Sequence, residues 1–369
     1  MTDQRAPSDG PGPLAHWYET AGVRTGIRRM FLDESAAGKV FFPEPLVPHL
    51  GHACVRSLPA PRLRELAVRH LYQFLLSATH VETRIVNRAA EMIATNRSGL
   101  DLPVPVRLDA FKIYCDEGYH ALYSYDLADQ IAAVTGIPIP DCDYGGLVTR
   151  LEETGARLLP GEPRLVALLQ VVVFETLITA VLNELPNDTS VITTVRDLMR
   201  DHARDEGRHH RFFTAFLHEL WAQLDPSLRR PVALMLPAFI RACLLWDIDP
   251  VRTSLTLAGL DGPTADQVVH DCYRGEQGIT RIQEICQATL RACQSAGVLD
   301  VPGARDEFAA YGLIPGHQHA RPAEPHRVAA PTAEPQAPPR PPGQPSGWAQ
   351  PSARARPTGQ ATPVPPRPQ

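Results

Sequence analysis

The sequence predicts an all-α fold, a four-helix bundle with additional peripheral helices. Three observations carry this: long segments whose apolar residues recur with helical period, proline and glycine clusters between most of them, and an Asp-Glu-Gly-x-His motif in two of them. The 369 residues are 44% hydrophobic, enough for one large core. The formal net charge of −5 is mild, and the Arg-rich stretches carry matching acids. Neither a nucleic acid nor an anionic membrane surface is the expected partner.

Residues 1–60 read as an N-terminal extension with one peripheral helix over 14–32 and no chemical motif. MTDQRAPSDGPGP lacks the apolar core of a signal peptide, and the longest apolar run, residues 165–185, is broken by Gln170, Glu175, Asn183 and Glu184. A cytoplasmic protein with no membrane partner follows. Seven cysteines show no C-x-x-C spacing, which excludes a zinc ribbon or iron–sulfur cluster and leaves reduced, mostly buried thiols.

The domain proper spans residues 61–316. Its first helix covers 61–96, with Pro61 in the first turn and Leu71, Leu75, Ala78, Ile85 and Ala89 on one side. Glu82 falls on that stripe, either snorkelling outward or serving as an inward ligand. The second helix, 108–134, ends at Gly136 and carries Glu117 and His120. A connection with a short helix at 147–157 then crosses a bundle end. The third helix, 163–185, is apolar all round, which marks it as central. Glu175 sits in its middle, where an ionised carboxylate is very costly without a counter-charge. The fourth follows the capping residues of 187–190, runs to about 224, and carries His202, Glu206 and His209 at i, i+4 and i+7 on one face. Two further helices, 228–246 with Pro231 and Pro237 as kinks and 264–295, lack ligand spacing and read as packing or dimer elements, so a homodimer is allowed for. Residues 317–369, rich in Pro, Ala and Arg, read as a disordered tail.

In chain order the four helices offer Glu82, then Glu117 with His120, then Glu175, then Glu206 with His209. That is the ligand order of a ferritin-like carboxylate-bridged dimetal bundle. Four carboxylates offset the charge of two divalent ions, and oxygen and nitrogen ligands without thiolate suit iron or manganese better than Cu(I) or zinc. Iron suits oxygen chemistry. His202, one turn before Glu206, is a seventh ligand pointing to the same metal as Glu206, or an inward histidine that is only hydrogen-bonded. Asp116 and Asp205, which open the two motifs, either accept the far imidazole N–H of a ligand histidine or are ordinary surface acids. Gly118 and Gly207 suggest close helix approach or a local helix bulge.

On Glu82, DEGYH, Glu175 and HARDEGRH, the chain resembles the dimetal arylamine N-oxygenases that form nitro groups in natural products, over residues 61–224. The resemblance implies a ferritin-like bundle holding two iron ions through Glu82, Glu117, His120, Glu175, His202, Glu206 and His209. It also implies O2 as cosubstrate and a small aromatic amine oxidised through the hydroxylamine toward nitro, in secondary metabolism. Electrons come from an external donor or reductase, since no dinucleotide-binding glycine motif is present. The alternative is a diiron C–H hydroxylase acting on a small or carrier-bound substrate. A ribonucleotide reductase small subunit shares six ligands but has a tyrosine where this chain has Ser124, flanked by Tyr123 and Tyr125. Iron storage suits much shorter chains with compact loops.

Overall fold

A computed structural model describes residues 12–32, 38–182, 185–273 and 285–315, with side chains omitted from 178 to 185. Among these residues there is no β-strand, only an isolated bridge between Val40 and Val191. The chain divides into Met1–Ala323 and Glu324–Gln369, and the expected tail, 317–369, lies outside the described residues.

Two short helices, α1 (Trp17–Thr20) and α2 (Gly22–Thr25), stand where one peripheral helix is predicted. They are not peripheral: Leu14, Trp17 and Ala21 belong to the main core, and Gly22 is buried. After α3 (Ala53–Arg56) comes α4 (Ala60–Val81), with Pro61 in its first turn. The predicted unbroken helix over 61–96 is interrupted. A π-helical turn occupies Glu82–Val86 before α5 (Asn87–Ala94) resumes the α-helix. The turn's extra residue keeps Glu82, Ile85 and Val86 buried while Thr83 and Arg84 face out.

Helix α6 (Val104–Thr135) ends on Gly136, whose φ of 68° lets its amide reach back to the Ala132 carbonyl. The crossing segment holds α7 (Gly146–Leu158), and α8 (Pro163–Leu182) follows. Helix α9 (Thr193–Gln223) starts without a side-chain cap. Of the expected capping residues, Asp188 instead accepts bonds from the Ser190 amide and hydroxyl in the turn before it. Beyond lie α10 (Pro226–Leu244), running through Pro231 and Pro237, then α11 (Ile248–Leu257), α12 (Gly262–Tyr273), α13 (Gln287–Ser295) and α14 (Ala304–Ala310). By length and composition Pro226–Leu257 includes a stretch apolar enough to cross a membrane, but half of that stretch is buried inside the protein and the helix breaks before Ile248.

The bundle consists of α4–α5, α6, α8 and α9, with α8 packed on α9 and α6 on both α4 and α5. Helix α10 covers α7 and α8, and α11 packs on α4 and α12. Two apolar cores result. One gathers Val81–Ala94, Ala110 and Ile113, Leu165–Leu177 and Phe212–Trp221. The other gathers Leu66–Leu76, Leu127–Ile131 and Val195–Met199. On α6 and α9 the residues between the two cores are the polar ones singled out from the sequence, and Glu82 and Glu175 join them from within stretches of the first core. Hydrophobic burial above and below this polar layer sets the frame that holds it.

None of the seven cysteines is in a disulfide; only Cys286 and Cys293 are buried, and Cys54 and Cys115 are exposed, so the expectation of mostly buried thiols does not hold.

Candidate metal centre

All seven predicted ligand residues converge in one polar layer, each at most 3% exposed. They form two groups, each able to present one ligand atom per residue within 4.8 Å of the others: Glu82, His120 and His202, and Glu117, Glu175, Glu206 and His209. His202 is grouped with Glu82 and His120, and its Nε2 is 3.2 Å from Glu206 Oε1 and 3.3 Å from Glu82 Oε1. One turn of rise carries it along the face toward α4 as well as beside Glu206. The motif on α6 is likewise divided, with Glu117 and His120 in different groups. Glu206 Oε1 lies between them, 3.4 Å from Nδ1 of both His120 and His209.

The two aspartates have the more specific of their two readings. His120 donates through Nε2 to Asp205 Oδ2 at 3.2 Å, and His209 through Nε2 to Asp116 Oδ2 at 3.2 Å. Each motif's aspartate therefore holds the other motif's histidine. This fixes the tautomer: with Nε2 carrying the proton, both imidazoles turn a Nδ1 lone pair inward. Asp205 is further paired with Arg208 of its own helix.

The repeated glycines have neither expected role. A Cβ at Gly118 would meet only the Asn87 side chain, at 3.9 Å, one at Gly207 would meet nothing within 4 Å, and the bulge is at Glu82.

Nine buried atoms of these seven residues make no well-formed hydrogen bond: both oxygens of Glu117 and of Glu175, one each of Glu82 and Glu206, and Nδ1 of His120, His202 and His209, the last 2.7 Å from Glu117 Oε1. Buried polar atoms are ordinarily satisfied, so nine gathered in one layer call for cations. Without them the layer holds protons. Burial, reinforced by neighbouring carboxylates, pushes Glu82, Glu117 and Glu175 above the usual carboxylate range. Burial raises Glu206 as well, but the charge of His209 and the adjacent imidazoles of His120 and His202 outweigh it and hold that carboxyl well below the usual range. Burial opposes charging of all three histidines. Carboxylate neighbours nonetheless raise His120 and His209, while His202, beside His120, falls to about 4. The donor set of four carboxylates and three imidazoles suits a pair of divalent cations.

P-aminobenzoate N-oxygenase AurF is the family whose pattern matches residues 32–297 of this chain. The chain belongs to that family. The match covers all seven converging residues and leaves out α1 and α2. Membership makes the chain an oxygenase by family, with buried Glu and His clusters able to bind metal. No curated protein matches the chain.

Reading the sequence misses three residues at the centre. Trp17 donates its indole N–H to both oxygens of Asp116, at 2.9 and 2.8 Å, and the Gly22 amide lies 3.2 Å from Asp205 Oδ2. Nothing in their spacing announces either. Tyr123 carries a usable signal, because three residues after His120 it shares that helix face. Its ring lies 5.4 Å from that of His120 and 5.8 Å from that of His202, and its buried hydroxyl has no partner. Tyr123 also lines a cavity of about 400 Å³, with Tyr119, Leu122, Leu198 and the stretch from Gly26 to Arg29.

Proposed function

We propose that the protein is a soluble, cytoplasmic, O2-dependent diiron N-oxygenase that oxidises a primary aromatic amine through the hydroxylamine toward a nitro group, in secondary metabolism. The observation that carries this reading is the pair of buried ligand groups, lined by unsatisfied acceptors, in a chain of the p-aminobenzoate N-oxygenase family.

Glu82, His120 and His202 would hold one iron, and Glu117, Glu175, Glu206 and His209 the other. When bound, the iron pair supplies the redox chemistry that activates O2. The chain's own residues do the rest. Four carboxylates offset the charge of two divalent cations, so little net charge is buried. Asp116 and Asp205 keep Nδ1 of His209 and His120 unprotonated and aimed inward. The apolar cores on either side exclude water from the layer. The cavity beside Tyr123 falls in the size range of small-molecule sites, and its Tyr119, Tyr123, Leu122 and Leu198 walls suit one aromatic ring.

An aryl amine suits this setting because it stays neutral near pH 7 and keeps its nitrogen lone pair for oxidation. The protein needs only to present nitrogen, not a ring carbon, toward the layer. The cysteines lack the spacing that holds an iron–sulfur cluster and the sequence has no dinucleotide-binding glycine motif, which supports an external electron donor.

The test is to reduce the iron-loaded protein chemically and expose it to isotopically labelled O2 with para-substituted anilines. Labelled hydroxylamine, nitroso and nitro products are expected. Exclusive C-hydroxylation would move the assignment to a C–H hydroxylase, and no labelled product would overturn the oxygenase reading.

A further inference from the structure

We propose that the N-terminal arm, residues 14–29, is a positioning element of the metal centre: Trp17 acts through Asp116 on His209, and the Gly22 amide acts through Asp205 on His120. The proposal rests on the reading that the two buried groups hold metal, and goes beyond it because the arm precedes the family match at residues 32–297.

Asp116 is fully buried and takes three contacts on two oxygens, two from the Trp17 indole and one from His209. A buried carboxylate held by an indole N–H cannot rotate away from the imidazole without leaving that donor unpaired. On the other half of the centre the close approach is backbone to side chain. A Cβ on Gly22 would stand 2.7 Å from Asp205 Oδ2, the oxygen that faces His120, so any side chain at 22 displaces that carboxylate or the arm.

The arm is fastened independently of both contacts. Lys112 Nζ donates to the Leu14 carbonyl, Arg28 pairs with Asp126 and Arg29 with Asp201. The Phe31 amide donates to Gln130 Oε1 at 2.8 Å. Loss of the Trp17 donor therefore leaves the arm in place and removes one interaction only.

Because the aspartates are crossed between the motifs, the arm's two contacts address different ligand groups. Trp17 serves the group of Glu117, Glu175, Glu206 and His209, and Gly22 serves that of Glu82, His120 and His202. A role limited to packing has no reason to separate in this way.

The experiment is an anaerobic calorimetric titration of the metal-free, full-length protein with Co(II), a redox-inert probe for both groups, with His202→Ala marking the step that belongs to the first group. Trp17→Phe keeps most of the ring and is expected to weaken the other step roughly 3- to 10-fold. Gly22→Ala is expected to weaken the step that His202→Ala removes, and the double variant to show both losses. Trp17→Phe should keep the far-UV circular dichroism and unfolding midpoint of the metal-free protein. Equal weakening of both steps by each variant, or no change in either, overturns the proposal. Absence of Co(II) uptake by the wild type overturns the metal-centre reading and the proposal together. Two bound Co(II) ions, with no amine oxidation by the separately iron-loaded protein, count against the N-oxygenase assignment alone, and the step-selective losses would still establish the arm's role.

Discussion

Asp116 precedes Glu117 on α6, yet its partner is His209 on α9, 3.2 Å from its Oδ2. The reverse pairing of Asp205 with His120 gives the centre two crossed carboxylate–imidazole links between the same two helices. Replacing Asp116 by Ala frees the His209 ring and strips the indole of its acceptor. Metal affinity of the Glu117–Glu175–Glu206–His209 group should fall about 10- to 100-fold, with the other group less affected. Stepwise Co(II) binding checks this, and an unchanged second group alongside an unchanged first would refute the link.

Glu175 should trade stability for function. Both its oxygens are buried without a partner, among Val171, Val172 and Val173. Glu175→Leu should stabilise the metal-free protein by about 1–3 kcal/mol, the cost of leaving buried polar atoms unsatisfied, while lowering metal uptake sharply. Urea unfolding of metal-free protein and metal analysis after reconstitution measure the two effects, and a less stable metal-free variant would contradict the argument.

His202→Ala removes one of three residues from the Glu82 group and none from the other. The variant should keep about one tightly bound ion per chain where the wild type keeps two, with altered oxygen chemistry. Wild-type stoichiometry and reactivity together would make His202 only a core residue.

A pH effect is expected away from the centre. Burial lowers His70 to about 3, and it contacts Phe42, Trp246 and His49, itself lowered to about 4. Both histidines stay neutral in the folded protein well below the ordinary value of 6.5. Their contribution is present above that value and is lost as pH falls toward the folded values, because only the unfolded chain takes up the protons. From pH 7 to pH 5 the cost from His70 is about 2 kcal/mol. His70→Phe should therefore gain on the wild type by about that amount over this range in urea midpoints, and parallel curves would show that His70 does not titrate as described.

The convergence of the seven residues was legible because a shared helix face imposes spacing. Glu-x-x-His puts two side chains on one helix face, and Glu175 inside an apolar helix is expensive without a partner. Helix periodicity located α6 and α9 to within a few residues for the same reason. The division of ligands was not legible, because which group His202 joins depends on how far α4 stands from α9, and neither helix encodes that distance locally. The π-turn at Glu82 was equally hidden, since one extra residue in a turn leaves a short apolar stripe almost intact. Trp17 was missed because its partner lies 99 residues away and one indole has no periodicity.

The Gly22 amide finds its acceptor 183 residues further along the chain. During synthesis from the N-terminus, α4, α5 and α6 can form and pack on local contacts while neither the arm nor His120 has Asp205 to meet. The loop closed by that contact is long, and its ordering is repaid only once α9 exists. The centre is thus a late product of folding, completed after most of the domain has been made, and metal ions present earlier meet only part of its ligand set.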